Sequence, residues 1–185
     1  MFVRDRMSSP AAVLPPEATA SAALAFMEKR KIRRTPVVRD GKLLGIVTMS
    51  DLLGVANKKK ATGSVTTVAQ VMTAKPITVQ RDETLEVAAQ LMMTRKVSGL
   101  PVLDGDRVVG ILTESDLFRA LCQMLGFAER GARVVMQVDD KEDLIEQMRD
   151  RLKRMMIRSL VTVHDPNRGV WDVVMRVRGR TERVL

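Results

Sequence analysis

The sequence predicts an α+β (α/β) fold in which one β-α-β-β-α unit is used twice and is followed by a different, β-α-β-β unit. Two observations predict it. Residues 7–53 return without a gap as residues 72–118, 65 positions further on, with 14 of 47 positions identical. A period of that length marks a duplicated supersecondary unit. After about residue 126 the repeat stops, and a strictly alternating strand near the end of the chain belongs to a second kind of unit.

Each repeat is justified element by element. A short apolar stretch, residues 11–14 or 77–79, leads into a polar segment in which Thr19 or Thr84 stands where a helix N-cap is expected. Ala23, Phe26, Met27 and Arg30, and then Ala88, Leu91, Met92 and Arg95, keep the spacing of a one-faced helix. Two strands follow, residues 36–38 and 43–48, joined by a tight Asp40-Gly41 turn. The second copy repeats them with Asp104-Gly105 as the turn. A second helix opens at Ser50-Asp51 or Ser115-Asp116, whose short polar side chains suit exposed backbone N–H groups.

The Pro-Val strand starts at Pro36-Val37 and Pro101-Val102, with the closing motifs GIVTMSD and GILTESD, resemble the cystathionine β-synthase (CBS) domain. Two in tandem are similar to a Bateman module. The resemblance covers about residues 1–125, and its double occurrence makes it specific. It implies that the copies pack about a pseudo-twofold axis and bind an adenosine-containing ligand, AMP, ADP, ATP or S-adenosylmethionine, in the clefts between them. The charged, Gly- and Ser-containing stretch 57–67 reads as a linker, which sets domains at 1–56 and 68–126, with a separate unit at 127–185 where the repeat has stopped.

In the C-terminal unit residues 134–138 are expected to form a strand, Leu144, Ile145, Met148, Leu152, Met155 and Met156 one helix stripe, and residues 160–163 a second strand. Trp171, Val173, Met175 and Val177 alternate with Asp172, Val174, Arg176 and Arg178 as a last strand. The order resembles the first half of an ACT domain, and the whole chain is similar to the acetoin-utilisation-type CBS-ACT proteins. The loop VDDKEDL lacks the glycine through which ACT domains admit an amino acid, so the unit reads as a dimerisation element. A homodimer is expected, with the apolar face and open edge of the last strand as its reason.

Composition limits the function classes. The net charge is +9, with 12 Lys or Arg against 5 acids over residues 1–70. The two basic clusters, residues 29–34 and 58–60, attract polyphosphates or nucleic acid through the same field. With no Tyr, one Trp and four Phe, none of them inside these clusters as base-stacking platforms, nucleic acid is the lesser reading. The lysine run by itself reads as a solvated loop. No apolar run is long enough to span a membrane, no secretory stretch opens the chain, and the single Cys122 suits a reducing compartment, so a cytoplasmic protein is expected. Cys122 reads as a packing residue among Leu121, Met124 and Leu125 rather than a reactive thiol.

Candidate functional residues are those that hold a nucleotide. One carboxylate accepts from both hydroxyls of a ribose in a charge-assisted pair of hydrogen bonds, and the resemblance places Asp51 and Asp116 in that role. Thr48, Ser50, Thr113 and Ser115 supply hydroxyls. Either set also reads as a helix cap. The resemblance directs Arg33 and Arg34 at phosphate and brings Thr73, Thr78, Ser98 and Gly99 toward the nucleoside held by Asp51. Because the second copy has Ser98-Gly99 where the first has the arginine pair, the Asp51 cleft is expected to be the better polyphosphate site. Ile32, Val97 and Met49 would clamp the adenine. His164, the only histidine, has no nucleophile beside it in sequence, and neither a phosphate-binding glycine loop nor a metal-ligand spacing appears. The expectation is a non-catalytic regulatory protein with no catalytic cofactor, no metal and a regulated enzyme as its partner.

Overall fold

The computed structural model describes residues 1–59, 65–127, 130–140 and 156–178, without the side chains of 56–59. The chain divides into two compact units, Met1–Leu117 and Phe118–Leu185.

In the first unit helix α1 (Ala20–Arg30) precedes strands β1 (Arg34–Arg39) and β2 (Lys42–Thr48) and helix α2 (Met49–Lys59). The second repeat contributes β3 (Thr73–Ala74), β4 (Val79–Gln80), α3 (Leu85–Arg95), β5 (Gly99–Asp104), β6 (Arg107–Thr113) and α4 (Glu114–Met124), which continues into the second unit. The expected caps form: Thr19 Oγ1 accepts from Ala22 N at 3.2 Å and Thr84 Oγ1 from Val87 N at 3.4 Å. Both helices end on a left-handed lysine, Lys31 at φ 55° and Lys96 at φ 53°. Ala23, Met27, Ala88 and Met92 are buried, as their spacing requires.

The sheet runs β1-β2-β6-β5-β4, with β3 also on β2. The β1-β2 and β5-β6 hairpins carry the same bulge, at Val37/Val38 and Val102/Leu103. One registered pair, Lys42 with Arg107, joins the two hairpins, and these two residues are repeat counterparts. The hairpins therefore meet about a pseudo-twofold axis.

Several details differ from the sequence reading. The second turn is Gly105-Asp106, with Gly105 at φ 59°, because Asp104 still pairs with Arg107 as the last residue of β5. Residues 11–14 give only an isolated parallel bridge from Leu14 to Val37. The expected linker at 57–67 begins inside α2, which runs through Lys59, and its end is built into the first repeat: Ala20 N donates to Thr66 O at 2.8 Å, and Val68 N to Ala18 O at 2.8 Å.

The leader segments are in fact exchanged. Val68, Val71 and Met72 pack into the core of the first repeat with Leu14, Ala23, Met27, Val37, Val47 and Leu52. Val3, the counterpart of Val68, is equally buried and donates its N–H to Glu83 O at 2.9 Å in the second repeat. Ser8 and Ile111 exchange backbone hydrogen bonds at 2.9 and 3.0 Å, and Arg4 pairs with Asp82. A fully buried valine contributes about 1.5–3 kcal/mol, so each leader is held by its apolar anchor as well as by its backbone.

The second unit has β7 (Ala132–Asp139), β8 (Ile157–Asp165) and β9 (Val170–Val177) in the antiparallel order β7-β9-β8. Val173, Met175 and Val177 are buried together with Ala132 and Val138, which bears out the alternation. The expected open edge of the last strand is corrected: β9 is central and paired on both sides, and its apolar face lies in the core. The helix expected over residues 144–156 lies outside the described residues except Met156, which is exposed. Cys122, expected to pack, is exposed. His164 stacks on Trp171 with ring centroids 4.7 Å apart and lies 3.1 Å from Asp140 Oδ2.

Candidate functional site

Each repeat ends its hairpin in a closed Thr-x-x-Asp loop. In the first, Asp51 Oδ2 accepts from Thr48 N at 2.9 Å and from Thr48 Oγ1 at 2.7 Å, and Thr48 Oγ1 accepts from Asp51 N at 3.2 Å. In the second, Asp116 Oδ2 accepts from Thr113 N at 2.9 Å and from Thr113 Oγ1 at 2.6 Å. The first is a reciprocal cap at the start of α2, and in the second Asp116 caps the start of α4 through Thr113. The cap reading of the carboxylates is thus present in the geometry, and it uses one oxygen. Oδ1 of half-buried Asp51 accepts no hydrogen bond from the described residues. Asp116 is more deeply buried, 6% exposed.

The strands put residues 33–34 and 98–99 beside these loops. Arg34 is registered opposite Thr48, and Gly99 opposite Thr113. Met49 N donates to Arg33 O at 2.8 Å, while Glu114 N approaches Ser98 O at 3.4 Å. The Arg33 side is exposed and Arg34 half-buried. Burial and the Arg33 charge push the Arg34 guanidinium below the usual arginine range, and nearby Glu114 opposes that shift. Thr73 is exposed on β3 opposite Ile46, two residues before Thr48. Thr78 directly precedes Val79, which pairs with Val102 in the second repeat. Ser50 and Ser115 are exposed on the first turns of their helices. Ile32 and Met49 pack half-buried against the first core, and Val97 is half-buried in the second repeat.

Two features of the site escaped the sequence reading. Thr35 is fully buried and its Oγ1 donates to Ala12 O at 2.9 Å, and Leu14 N donates to Pro36 O at 3.1 Å, so residues 12–14 are docked along β1. The second is contact between Arg34 and Gly99: a Cβ on Gly99 would stand 2.7 Å from Arg34 Cδ and 2.8 Å from Nη1. Gly99 is the counterpart of Arg34 one period later, and the only signal in the sequence was that an arginine in one copy faces a glycine in the other.

The CBS-domain family model matches residues 3–58 and 68–123, one match per repeat. The chain belongs to the CBS-domain family. Among solved CBS-domain structures, the CBS pair of protein MJ0100, in complex with 5′-methylthioadenosine and S-adenosyl-L-methionine, is 31% identical with a TM-score of 0.61, covering 66% of this chain and 97% of that one. A protein of Vibrio cholerae assigned to acetoin utilization (AcuB) is 31% identical with a TM-score of 0.63, covering 70% of this chain and 98% of its own. Homoserine O-acetyltransferase of Methanosphaerula palustris is 33% identical over 122 residues, 65% of this chain and 24% of the enzyme. The CBS chain thus spans about a quarter of that relative's length, and the shared part is the CBS region. Among the described residues no helix is long and apolar enough to cross a membrane, and no group of three or more His, Cys, Asp or Glu stands ready for a metal.

Proposed function

We propose that this CBS pair is a non-catalytic regulatory module that senses an adenosine-containing ligand, AMP, ADP, ATP or S-adenosylmethionine, in the clefts beside its two Thr-x-x-Asp loops. The observation that carries the reading is the duplicated cap, which uses Oδ2 of each Asp and, at Asp51, leaves Oδ1 without a donor among the described residues. A ribose diol supplies the two donors such an acceptor lacks. The complex of the MJ0100 pair with two adenosine compounds supports the same class of ligand. In this reading Asp51 and Asp116 hold ribose, Thr48, Ser50, Thr113 and Ser115 offer hydroxyls, and Arg33 and Arg34 meet phosphate. Thr73, Thr78, Ser98 and Gly99 shape the walls. The second unit is an ACT-like element for homodimerisation, the protein is cytoplasmic, and the output passes to a regulated enzyme.

The test is a thermal-shift and calorimetry panel of AMP, ADP, ATP, S-adenosylmethionine and adenosine on the purified chain. A ligand at about 100 times its dissociation constant adds about 2.7 kcal/mol of stability. A flat panel at millimolar ligand overturns the reading. Tight nucleic-acid binding that survives physiological salt would favour the basic first half as a nucleic-acid surface instead.

A further inference from the structure

The tips of the two hairpins meet at Lys42 and Arg107, registered directly opposite each other as the first residues of β2 and β6. Residues so paired carry their side chains on one face of the sheet at close range, and two like charges there repel. Each turn adds a carboxylate, Asp40 at φ 51° before Gly41 and Asp106 after Gly105. Together Asp40, Gly41, Lys42, Asp106 and Arg107 line a cavity of about 410 Å³, within the size range of small-molecule sites. The charges just outside it are committed. Arg39 pairs with Glu17 and Asp104 with Arg81, while Gln80 Nε2 donates to Gly105 O at 3.1 Å and braces the second turn. Among the described residues, by contrast, none of Asp40, Lys42, Asp106 and Arg107 makes a salt bridge or a side-chain hydrogen bond.

Charge balance decides what such a cavity takes. A bare anion meets two carboxylates and a bare cation meets an ammonium and a guanidinium, so each is opposed by half of the charged lining. A molecule that carries an acid and an amine on the same carbon offers each sign to its opposite. We propose that the hairpin tips form a binding site for a small zwitterion, a free α-amino acid, whose carboxylate bridges Lys42 and Arg107 and whose ammonium faces Asp40 or Asp106. Charge-assisted hydrogen bonds hold the carboxylate, and the guanidinium fork of Arg107 matches its two oxygens. Its negative charge relieves the repulsion in the one registered strand pair that joins the hairpins, so the ligand ties the two repeats together at their tips. Lys42 and Arg107 stand at the opposite ends of β2 and β6 from Thr48 and Thr113, roughly 20 Å away along each strand at about 3.3 Å per residue. The site is therefore separate from the Thr-x-x-Asp loops and does not rest on the nucleotide reading.

The experiment follows the amide NMR signals of Gly41 and Gly105 in the full chain during titration with glycine, L-alanine, L-glutamate and L-lysine, with acetate and ethylamine as single-charge controls. At least one amino acid should shift both amides saturably at millimolar concentration, and neither control should. Lys42→Gln and Arg107→Gln should each weaken that binding by about tenfold or more, the loss expected for a hydrogen bond to a charged group. Asp40→Asn combined with Asp106→Asn should do the same, and asparagine tolerates the left-handed backbone at position 40. Lys42→Glu separates loss of the site from loss of the fold: opposite charges then face each other across the strand pair, so the melting temperature should rise while amino-acid binding disappears. Glycine amides that no amino acid moves, shifts that acetate or ethylamine alone reproduces, or binding that survives Lys42→Glu would each overturn the proposal.

Discussion

The thioether of Met72 lies over Gly45, a residue of the other repeat, and Met7 lies over Gly110 in the same way one period earlier. A Cβ on Gly45 would stand 2.6 Å from Met72 Sδ and 2.8 Å from Thr73 O; on Gly110 it would stand 2.6 Å from Met7 Sδ and 2.9 Å from Ser8 O. The sulfur can swing away, but the carbonyls are fixed by strand pairing of Thr73 with Ile46 and of Ser8 with Ile111. Gly45→Ala and Gly110→Ala should therefore each lower stability by about 1–3 kcal/mol, the usual cost of overpacking. Gly54, in α2 with nothing within 4 Å of its Cβ position, is the contrast, and Gly54→Ala should raise stability by about 0.5–1 kcal/mol. Urea melts of the three variants check the set, and a Gly45→Ala protein as stable as the parent would refute the close approach.

The exchange of leaders also predicts how the chain behaves when cut. Residues 1–9 belong physically to the second repeat and residues 66–72 to the first, so the continuity of the linker is not what holds the repeats together. Two separate chains, residues 1–60 and 61–185, should co-purify as one folded complex when expressed together. Deleting residues 1–9 from the first piece should weaken that complex, because Val3, the Arg4–Asp82 pair and the Ser8–Ile111 bonds are lost. Pieces that elute apart on size exclusion would contradict it.

Self-association is expected from the second unit, but through different residues from those the sequence suggested. With β9 enclosed, the strands whose far edges remain unpaired among the described residues are β7 and β8, and the face opposite the core carries the registered row Val135, Val174 and Val161. Val135 and Val163 are each 59% exposed. Light scattering should report a dimer or larger species, and Val135→Lys with Val163→Lys should shift it toward monomer, since charge on an edge or an apolar patch opposes association. A parent that is monomeric at tens of micromolar removes the prediction, and association unchanged by removal of residues 128–185 moves it to the CBS pair.

Legibility in the sequence followed the range of the interaction. Caps at Thr19 and Thr84, the buried faces of α1 and α3 and the alternation in β9 depend on neighbours within a few residues, and periodicity exposes them. The 65-residue period revealed the duplication, and a twofold relation followed from it. What stayed hidden was reciprocal. Val3 and Val68 look like unremarkable apolar residues until the chain shows that each packs in the repeat it does not precede. The position of β9 between β7 and β8 is likewise a matter of topology, which alternation alone does not set. At the site, Asp51 and Asp116 were legible as a ribose acceptor or a cap, and the geometry shows the cap outright. The Arg34 to Gly99 contact was written as an asymmetry between copies, but that the two positions meet depends on where a long side chain lies.

The double use of Asp51 allows its two roles to be pulled apart by one atom. Oδ2 is engaged by Thr48 N and Oγ1, while Oδ1 faces no described donor. Asp51→Ala removes both, and should cost about 1 kcal/mol of stability through the lost cap together with the nucleotide affinity. Asp51→Asn differs, because its amide oxygen can still accept from Thr48 while its NH2 group replaces Oδ1 and meets the ribose hydroxyls as a donor. Its melting temperature should stay close to the parent's, and the affinity of the first cleft for an adenosine ligand should fall by about tenfold or more, the loss of a charged hydrogen bond worth about 1.5–3 kcal/mol. Measured side by side in the Asp116→Asn background, where the second cleft is silent, the two variants should therefore match in binding and differ in stability. If Asp51→Asn binds every adenosine compound as tightly as its background, the carboxylate is a cap alone and the ribose is held elsewhere.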